Sequence, residues 1–308
     1  IIGEDIDKIY LDMVKTVSID PAAIARHKDM KIVYTPIHGT GMMLIPRALK
    51  MWGFENVFTV PEQMIKDGNF PTVVSPNPEN AEALSMAVNL AKEIDADLVM
   101  ASDPDADRVG IAMKCPDGSS ELVSGNEVGV LLLDYICAGR IEKGTMPEKA
   151  VAVKSLVSTP LADAVAAHYG VELRNVLTGF KWIGDQIAQL EAAGEVDRFI
   201  FGFEESYGYL AGPYVRDKDA VVASMLVCEM AAYYKKQGKS LAEVIDGLYE
   251  EFGYYLNQTY SFEFDGAAGM QKMADIMTAV RDNIPKSIAG YDVVKAVSYT
   301  HLRAHETL

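Results

Sequence analysis

The chain has 308 residues, of which 49% are hydrophobic and 23% charged, as in ordinary globular proteins. It carries 28 basic and 44 acidic side chains and a formal charge of −16, which argues against nucleic acid as a partner. No apolar run approaches the roughly 18 residues of a membrane span, and no signal peptide is recognisable, so no membrane association is expected. The three cysteines are widely spaced without a C-x-x-C pair, which favours a reducing, cytoplasmic compartment.

Hydrophobic spacing predicts an α/β protein in which two tandem units share one design. A first helix is predicted at 4–15. The first unit is predicted to contain, in chain order, strand 31–35, a helix through 47–51, strand 56–60, a long loop at 67–78, helix 80–94, and strands 97–101 and 109–113. Its short strand–helix–strand connection is typical of a parallel sheet.

The pattern starts again near residue 124. The second unit is predicted to contain helix 126–135, strand 150–154, a helix ending near 170, strand 171–174, a helix opening at 179, strand 198–201, and helices 219–236 and 240–251. Alternating apolar side chains at 255–264 predict a further strand, and a last helix is predicted at 271–280. The tail 298–308 fits no period and is interpreted as a non-native extension.

The segment 102–108 is the most informative part of the sequence. It places Asp103, Asp105 and Asp107 at alternate positions and follows them at once with Arg108. Because strands are predicted on both sides, the acids are expected on a loop, where like charges 4 Å apart repel by about 4 kcal/mol at an effective dielectric near 20. The loop is therefore predicted to bind a cation, and its oxygen ligands favour Mg²⁺ over Mn²⁺ or Ca²⁺. A solvated turn is the alternative; an EF-hand is excluded because its glycine and glutamate are missing.

Two further loops follow predicted strands. His-Gly-Thr-Gly at 38–41 precedes a helix and is interpreted as a phosphate cradle or as a simple turn, with His38 expected to fix the turn rather than to transfer protons. Glu204 and Ser206 follow a buried strand and suit recognition of sugar hydroxyls. The consecutive acids Glu204 and Glu205 are expected to point opposite ways, so that one faces the edge of the sheet and the other can anchor the loop. An acidic surface loop is the alternative interpretation of this second segment.

Two lysines stand near predicted helix starts. Lys181 and Lys218 lie where the helix macrodipole disfavours a cation, and an anionic ligand bound there would make the position of the positive charge favourable. Both are therefore candidates for contact with phosphate. Lys218, between two aspartates, could equally form a surface ion pair.

Taken together, four motifs resemble the α-D-phosphohexomutase superfamily, most closely its phosphoglucomutase/phosphomannomutase branch. They are Thr-Pro-Ile-His-Gly-Thr-Gly at 35–41, Asp-Pro-Asp-Ala-Asp-Arg at 103–108, Thr-Gly-Phe-Lys at 178–181 and Gly-Phe-Glu-Glu-Ser at 202–206. The resemblance implies tandem three-layer α/β domains with mixed sheets, the second and third of four, at 28–123 and 124–253. It also implies a helical linker from a first domain at 1–27 and the start of an α+β domain at 254–297.

The resemblance further implies a Mg²⁺-dependent mutase that moves phosphate between O1 and O6 of a hexose. The route is a bisphosphorylated sugar, with a glucose 1,6-bisphosphate-type activator. The implied metal ligands are Asp103, Asp105 and Asp107, and the implied catalytic residues are Arg108 and Lys218. The implied substrate-binding residues are Thr178, Gly179, Lys181, Glu204 and Ser206.

Two family motifs are missing from the sequence. The Ser-His-Asn-Pro motif that carries the phosphoserine is absent, and Ser-Pro-Asn-Pro at 75–78 lacks the histidine. The phosphate loop of the last domain is also absent, and the chain begins with Ile1, so we expect an internal fragment that is inactive alone. Three alternatives stay open: a pentose phosphate as substrate, a phosphatase with an aspartate nucleophile, and a sugar-phosphate-binding fragment without catalysis.

Overall fold

The computed structural model describes residues 3–115, 118–257, 262, 264–288, 290–294 and 296. The chain forms two compact units, Ile1–Asn257 and Gln258–Leu308. Among the described residues the helices are α1 (Glu4–Lys15), α2 (Pro21–Arg26), α3 (Ile45–Trp52), α4 (Ala81–Ile94), α5 (Gly125–Glu142), α6 (Leu161–His168), α7 (Phe180–Ala192), α8 (Ala220–Lys236), α9 (Leu241–Phe252) and α10 (Gly266–Asp282). The strands are β1 (Lys31–Thr35), β2 (Asn56–Thr59), β3 (Leu98–Ser102), β4 (Val109–Lys114), β5 (Ser120–Val123), β6 (Val151–Ser155), β7 (Glu172–Val176), β8 (Phe199–Glu204), β9 (Gly208–Leu210), β10 (Ser287–Ile288) and β11 (Tyr291–Asp292). No helix in the described part of the chain is long and apolar enough to cross a membrane.

The first sheet has the strand order β2-β1-β3-β4-β5. Strands β2, β1 and β3 are parallel to one another, β4 is antiparallel to β3, and β5 is antiparallel to β4. This confirms the predicted parallel unit and a mixed sheet. Alternate side chains of each strand face opposite sides, as strand geometry requires. Val33 and Val99 pack with α4, whereas Tyr34 and Met100 share the core that contains α3 and α8.

The second sheet repeats this design with the order β7-β6-β8-β9, in which β9 is antiparallel to β8. Val151 and Val153 pack with α7 on one face. Ala152 and Phe201 join the larger core on the other face. The prediction of two tandem α/β layers of related design is therefore confirmed; both lie within the compact unit Ile1–Asn257.

Helix α8 lies between the two sheets and belongs to both layers. It contacts α2, α3 and β3 of the first layer and α5 and β9 of the second. Its Glu229 is fully buried and accepts hydrogen bonds from the backbone N–H of Ile19 (2.7 Å) and Asp20 (2.9 Å) and from the hydroxyls of Tyr135 (2.8 Å) and Ser18. A buried carboxylate needs such donors. The segment that follows α1 is thereby fixed to the shared helix, and loops of the two sheets acquire defined relative positions.

Several predictions of element bounds were incomplete or wrong. Helix α5 continues to Glu142 instead of ending near 135, and α2, β5, β9 and the β10–β11 hairpin were not predicted. At 255–257, 262 and 264 the predicted strand is not formed; its other positions, like the tail 298–308, lie outside the described residues. The domain bounds stay predictions.

Candidate functional site

The acidic loop lies between two strands, β3 and β4, as predicted, and the structure shows that these strands pair antiparallel. Asp103 is 3% exposed, and its Oδ1 accepts hydrogen bonds from the backbone N–H of Asp107 (3.1 Å) and Arg108 (3.0 Å). Ala106 turns the chain with a φ of +61°, a left-handed conformation that is uncommon for alanine. The structure thus brings Asp103, Asp105 and Asp107 together, with one carboxylate oxygen of each within 4.8 Å of the others.

Two cations lie against this triplet. Arg108 Nε is 3.1 Å from Asp103 Oδ2 and 3.5 Å from Asp107 Oδ1. Lys218 Nζ is 2.8 Å from Asp107 Oδ2. Burial raises the pKa of Asp103 to about 7, and the charges of Asp107 and Asp105 add to the rise while the Arg108 N–H opposes it. Arg108 and Lys218 therefore compensate the negative charge of the three aspartates only in part.

The donor set fits a hard divalent cation. Asp107 Oδ1 is buried and accepts no hydrogen bond from the described residues. Asp105 is exposed, so its carboxylate is accessible from solvent. Three carboxylates with one poorly satisfied oxygen suit Mg²⁺, which binds through a few carboxylates and keeps several waters.

The turn after β1 packs against the acidic loop and hydrogen-bonds to it at Pro104. Thr40 donates from its backbone N–H (2.8 Å) and its hydroxyl (3.1 Å) to the Pro104 carbonyl. A Cβ on Gly39 would lie 2.3 Å from Pro104 Cα, so only glycine fits here without movement. The ring nitrogens of His38 lie 2.8 Å from the Ile65 carbonyl oxygen and 2.8 Å from the Thr72 hydroxyl, which confirms the prediction that His38 fixes this turn.

The Glu204 loop lies at the end of β8 in the second sheet. Glu204 is buried, and its Oε1 accepts the backbone N–H of Gly179 at 2.7 Å. Burial raises the pKa of Glu204. The Gly179 hydrogen bond therefore connects Glu204 to the start of α7. In that region Thr178 is exposed, and Lys181 Nζ lies 5.3 Å from the centre of the Trp182 ring.

Glu205 anchors the same loop, as the alternation of neighbouring acids suggested. Its Oε2 accepts the hydroxyls of Ser155 (2.6 Å) and Ser158 (3.2 Å), and its backbone N–H donates to Ser158 Oγ at 3.0 Å. Ser206, the next residue, is half-buried. The sequence suggested the anchor but not the two serines that receive it.

The acidic loop and the Glu204 loop are joined through the backbone. Val109 donates its N–H to the Tyr207 carbonyl at 3.1 Å, and Ala220 donates to the Ala106 carbonyl at 3.2 Å. Arg108 and Gly208 form an isolated antiparallel bridge. Loops from two different sheets are consequently linked by backbone hydrogen bonds.

A cleft of about 560 Å³ opens beside this surface. Asp105, Thr40 and Lys218 line it together with Tyr10 of α1. Sequence reasoning missed Tyr10, whose hydroxyl donates to Asp219 at 2.7 Å. It also missed Glu79, whose Oε1 lies 3.7 Å from Arg108 Nη1. Both contacts join residues far apart in the chain, and no local pattern marks them.

Comparison with known families agrees with this architecture. The family model for "Phosphoglucomutase/phosphomannomutase, alpha/beta/alpha domain II" matches residues 8–118, and the model for domain III matches residues 124–252. The two sheets are thus phosphohexomutase-type α/β/α domains, as the motifs predicted. The chain belongs to the phosphoglucomutase/phosphomannomutase family.

Named relatives extend beyond this chain. A phosphoglucomutase of Staphylococcus haemolyticus is 38% identical over 275 residues, which cover 89% of this chain and 49% of the relative. For a phosphoglucomutase of Staphylococcus epidermidis the identity is 36% over 293 residues, 95% of this chain and 51% of the relative. The open form of pp63/parafusin, a Paramecium phosphoglucomutase, is similar in fold with a TM-score of 0.61 at 20% identity, over 89% of this chain and 47% of that one. The chain spans about half the length of the curated relatives it matches.

Proposed function

We propose that the protein acts in a Mg²⁺-dependent phosphosugar mutase that moves phosphate between O1 and O6 of a hexose through a bisphosphorylated sugar. The observation that carries the proposal is the convergence of three carboxylates within 4.8 Å on a loop joined to Lys218 and to the Glu204 loop. Membership of the phosphoglucomutase/phosphomannomutase family supports the reaction class. The named relatives favour a glucose phosphate.

Asp103, Asp105 and Asp107 would hold the Mg²⁺ ion. When bound, such an ion supplies positive charge that stabilises a phosphoryl group during transfer. Arg108 keeps Asp103 and Asp107 in place and presents a guanidinium beside the site. Lys218, over the cleft, is the candidate to neutralise a substrate phosphate and to hold a proton for a sugar oxygen.

The Glu204 loop would bind the sugar. A carboxylate accepts hydrogen bonds from hydroxyls, and the Gly179 N–H and the Ser155–Ser158–Glu205 contacts hold Glu204 and Ser206 in place. Thr178 and Lys181, at the start of α7, would meet the distal phosphate, where backbone N–H groups favour an anion.

The isolated chain is expected to bind without turnover. Its sequence contains no Ser-His-Asn-Pro motif, so it would lack the serine that gives and takes the phosphoryl group. Sugar-phosphate binding without catalysis is therefore the second candidate function for this chain. A glucose 1,6-bisphosphate-type activator and a cytoplasmic location stay predictions.

Calorimetry tests the proposal. Mg²⁺ and then glucose 1-phosphate, mannose 1-phosphate or ribose 1-phosphate are titrated into the chain and into Asp107→Asn. We expect hexose phosphates to bind in the presence of Mg²⁺, and the variant to lose most of its Mg²⁺ affinity. Absence of Mg²⁺ binding to the unaltered chain would refute the metal assignment, and preference for ribose 1-phosphate would refute the hexose assignment.

A mutase assay with glucose 1-phosphate, Mg²⁺ and glucose 1,6-bisphosphate tests whether the chain needs more than it contains. No turnover is expected. Turnover comparable with that of a full-length relative would contradict the inactivity of the isolated chain and would support the mutase reaction.

A further inference from the structure

Lys218 acts as a counter-ion of the acidic loop when no metal is bound. We propose that a divalent cation displaces the Lys218 ammonium from Asp107 into the neighbouring cleft, where the ammonium becomes available to a phosphate. This inference rests on the proposed metal site and adds a binding order to it. The metal would bind first and would prepare the chain's own cation for the anionic substrate.

The two oxygens of Asp107 have unequal surroundings. Oδ2 lies 2.8 Å from Lys218 Nζ, whereas Oδ1 is buried and accepts no hydrogen bond from the described residues. The Lys218 side chain is 17% exposed, so the ammonium is held against the loop rather than extended into solvent. Asp107 Oδ2 thus contacts the Lys218 ammonium closely, whereas Oδ1 has only the Arg108 guanidinium, with Nε at 3.5 Å, and no hydrogen bond from the described residues.

A divalent cation on the triplet would lie close to Lys218 Nζ. Repulsion between a doubly and a singly charged cation is twice that between two unit charges at the same separation. The Lys218–Asp107 pair is mostly buried, so Asp107 needs a cation nearby, and a divalent ion supplies twice the charge of the ammonium that it replaces. Arg108 is less able to leave, because the backbone bridge to Gly208 fixes its position and its side chain also contacts Asp103.

The lysine has an alternative location within reach. Asp217 Oδ1 lies 3.3 Å from Nζ, and the Phe180 ring centre lies 5.7 Å away. Lys218 lines the cleft of about 560 Å³, which offers room for the released ammonium. Release should therefore strengthen phosphate binding, and phosphate should in turn strengthen metal binding, because such coupling is reciprocal.

Chemical labelling of Lys218 tests the displacement without any activity measurement. The chain is treated with an amine-acylating reagent, with and without Mn²⁺ and without sugar, and the Lys218 and Lys239 peptides are quantified by mass spectrometry. Electron paramagnetic resonance of the same samples measures bound Mn²⁺. We expect Mn²⁺ to increase the labelling rate of Lys218 about fivefold, the lower range of typical couplings, and to leave exposed Lys239 unchanged.

Bound Mn²⁺ with an unchanged or slower labelling rate of Lys218 would overturn the inference and leave the metal site intact. No bound Mn²⁺ would refute the metal site, and the displacement would fail with it. In Asp107→Asn, Lys218 should already label rapidly without metal.

A second pair of variants is independent of the labelling chemistry. Lys218→Met should raise Mn²⁺ affinity about fivefold by removing the competing cation, whereas Lys239→Met, with the same change of net charge, should not. In unaltered protein Mn²⁺ should strengthen binding of glucose 1-phosphate, and Lys218→Met should lose most of that gain. Equal affinities of both variants for Mn²⁺ would contradict the proposal.

Discussion

The substitution Gly39→Ala tests how firmly the turn after β1 supports the acidic loop. Gly39 has a φ of −92°, which alanine adopts without strain, so the effect must come from contact. The new Cβ would lie 2.3 Å from Pro104 Cα and 2.6 Å from its carbonyl oxygen. Ordinary carbon contacts are about 3.5–4.0 Å, so the backbone segments at Gly39 and Pro104 must separate by roughly 1.2 Å.

That separation should cost stability and metal affinity together. Overpacking costs about 1–3 kcal/mol, and the Thr40 N–H bond to the Pro104 carbonyl (2.8 Å) would lengthen at a further cost of about 1 kcal/mol. We therefore expect a loss of about 2–4 kcal/mol in the free energy of unfolding. Displaced supporting contacts typically lower metal affinity about tenfold or more.

Urea denaturation in EDTA and calorimetric titration with Mg²⁺ measure the two effects. Gly68→Ala is the matched control, because no heavy atom lies within 4 Å of its new Cβ, and its stability should change by less than about 0.5 kcal/mol. A Gly39→Ala variant as stable as Gly68→Ala, with unaltered Mg²⁺ affinity, would show that the contact of Gly39 with Pro104 does not support the acidic loop.

Three further predictions concern single carboxylates. Asp105→Asn should lower Mg²⁺ affinity by calorimetry without loss of urea stability, because Asp105 is exposed; a large loss of stability would contradict this. Glu205→Leu should lose about 1–3 kcal/mol in urea denaturation, because it removes the carboxylate that both serine hydroxyls reach, and Ser155 and Ser158, 2.7 Å apart, can then satisfy only one of their two O–H groups between them. Glu205→Gln keeps a carbonyl oxygen and most of the stability; equal losses would show that hydrogen bonding is not the cause. In metal-free protein the raised pKa of Asp103, from 3.8 to about 7, means that its contribution to stability is lost as pH rises through 7. Urea denaturation of the unaltered chain should therefore show a fall in stability between about pH 4 and pH 7 that Asp103→Asn and saturating Mg²⁺ both diminish; parallel pH profiles would contradict it.

The strongest sequence predictions concerned features that are local in the chain. The aspartate loop is bounded by two apolar strands, so its place on a loop between strands follows from neighbouring residues alone. His38 was likewise predictable as a turn residue, because it lies between a strand and two glycines. The repeated strand–helix pattern predicted both sheets for the same reason.

Other features depend on tertiary packing. Helix α5 is buried on nearly every side, so no single apolar face marked its end at Glu142. Strands β5 and β9 are short edge strands, formed by pairing with β4 and β8 rather than by their own composition.

The contacts of Lys218 with Asp107 and of Tyr10 with Asp219 exist because α8 connects the two sheets. No periodicity reports such a contact. The acidic loop and its two cations, Arg108 and Lys218, were therefore foreseeable from sequence, whereas the contact of Lys218 with Asp107 and the position of Tyr10 required the fold.

The proposed function depends on a hard divalent cation bound by the acidic loop, where the two sheets are linked. Anomalous diffraction from crystals of the chain soaked in Mn²⁺ measures this directly. We expect one strong peak in contact with carboxylate oxygens of Asp103, Asp105 and Asp107, with the Lys218 ammonium moved away from Asp107. No peak at the triplet, or a peak only at other carboxylates, would contradict it.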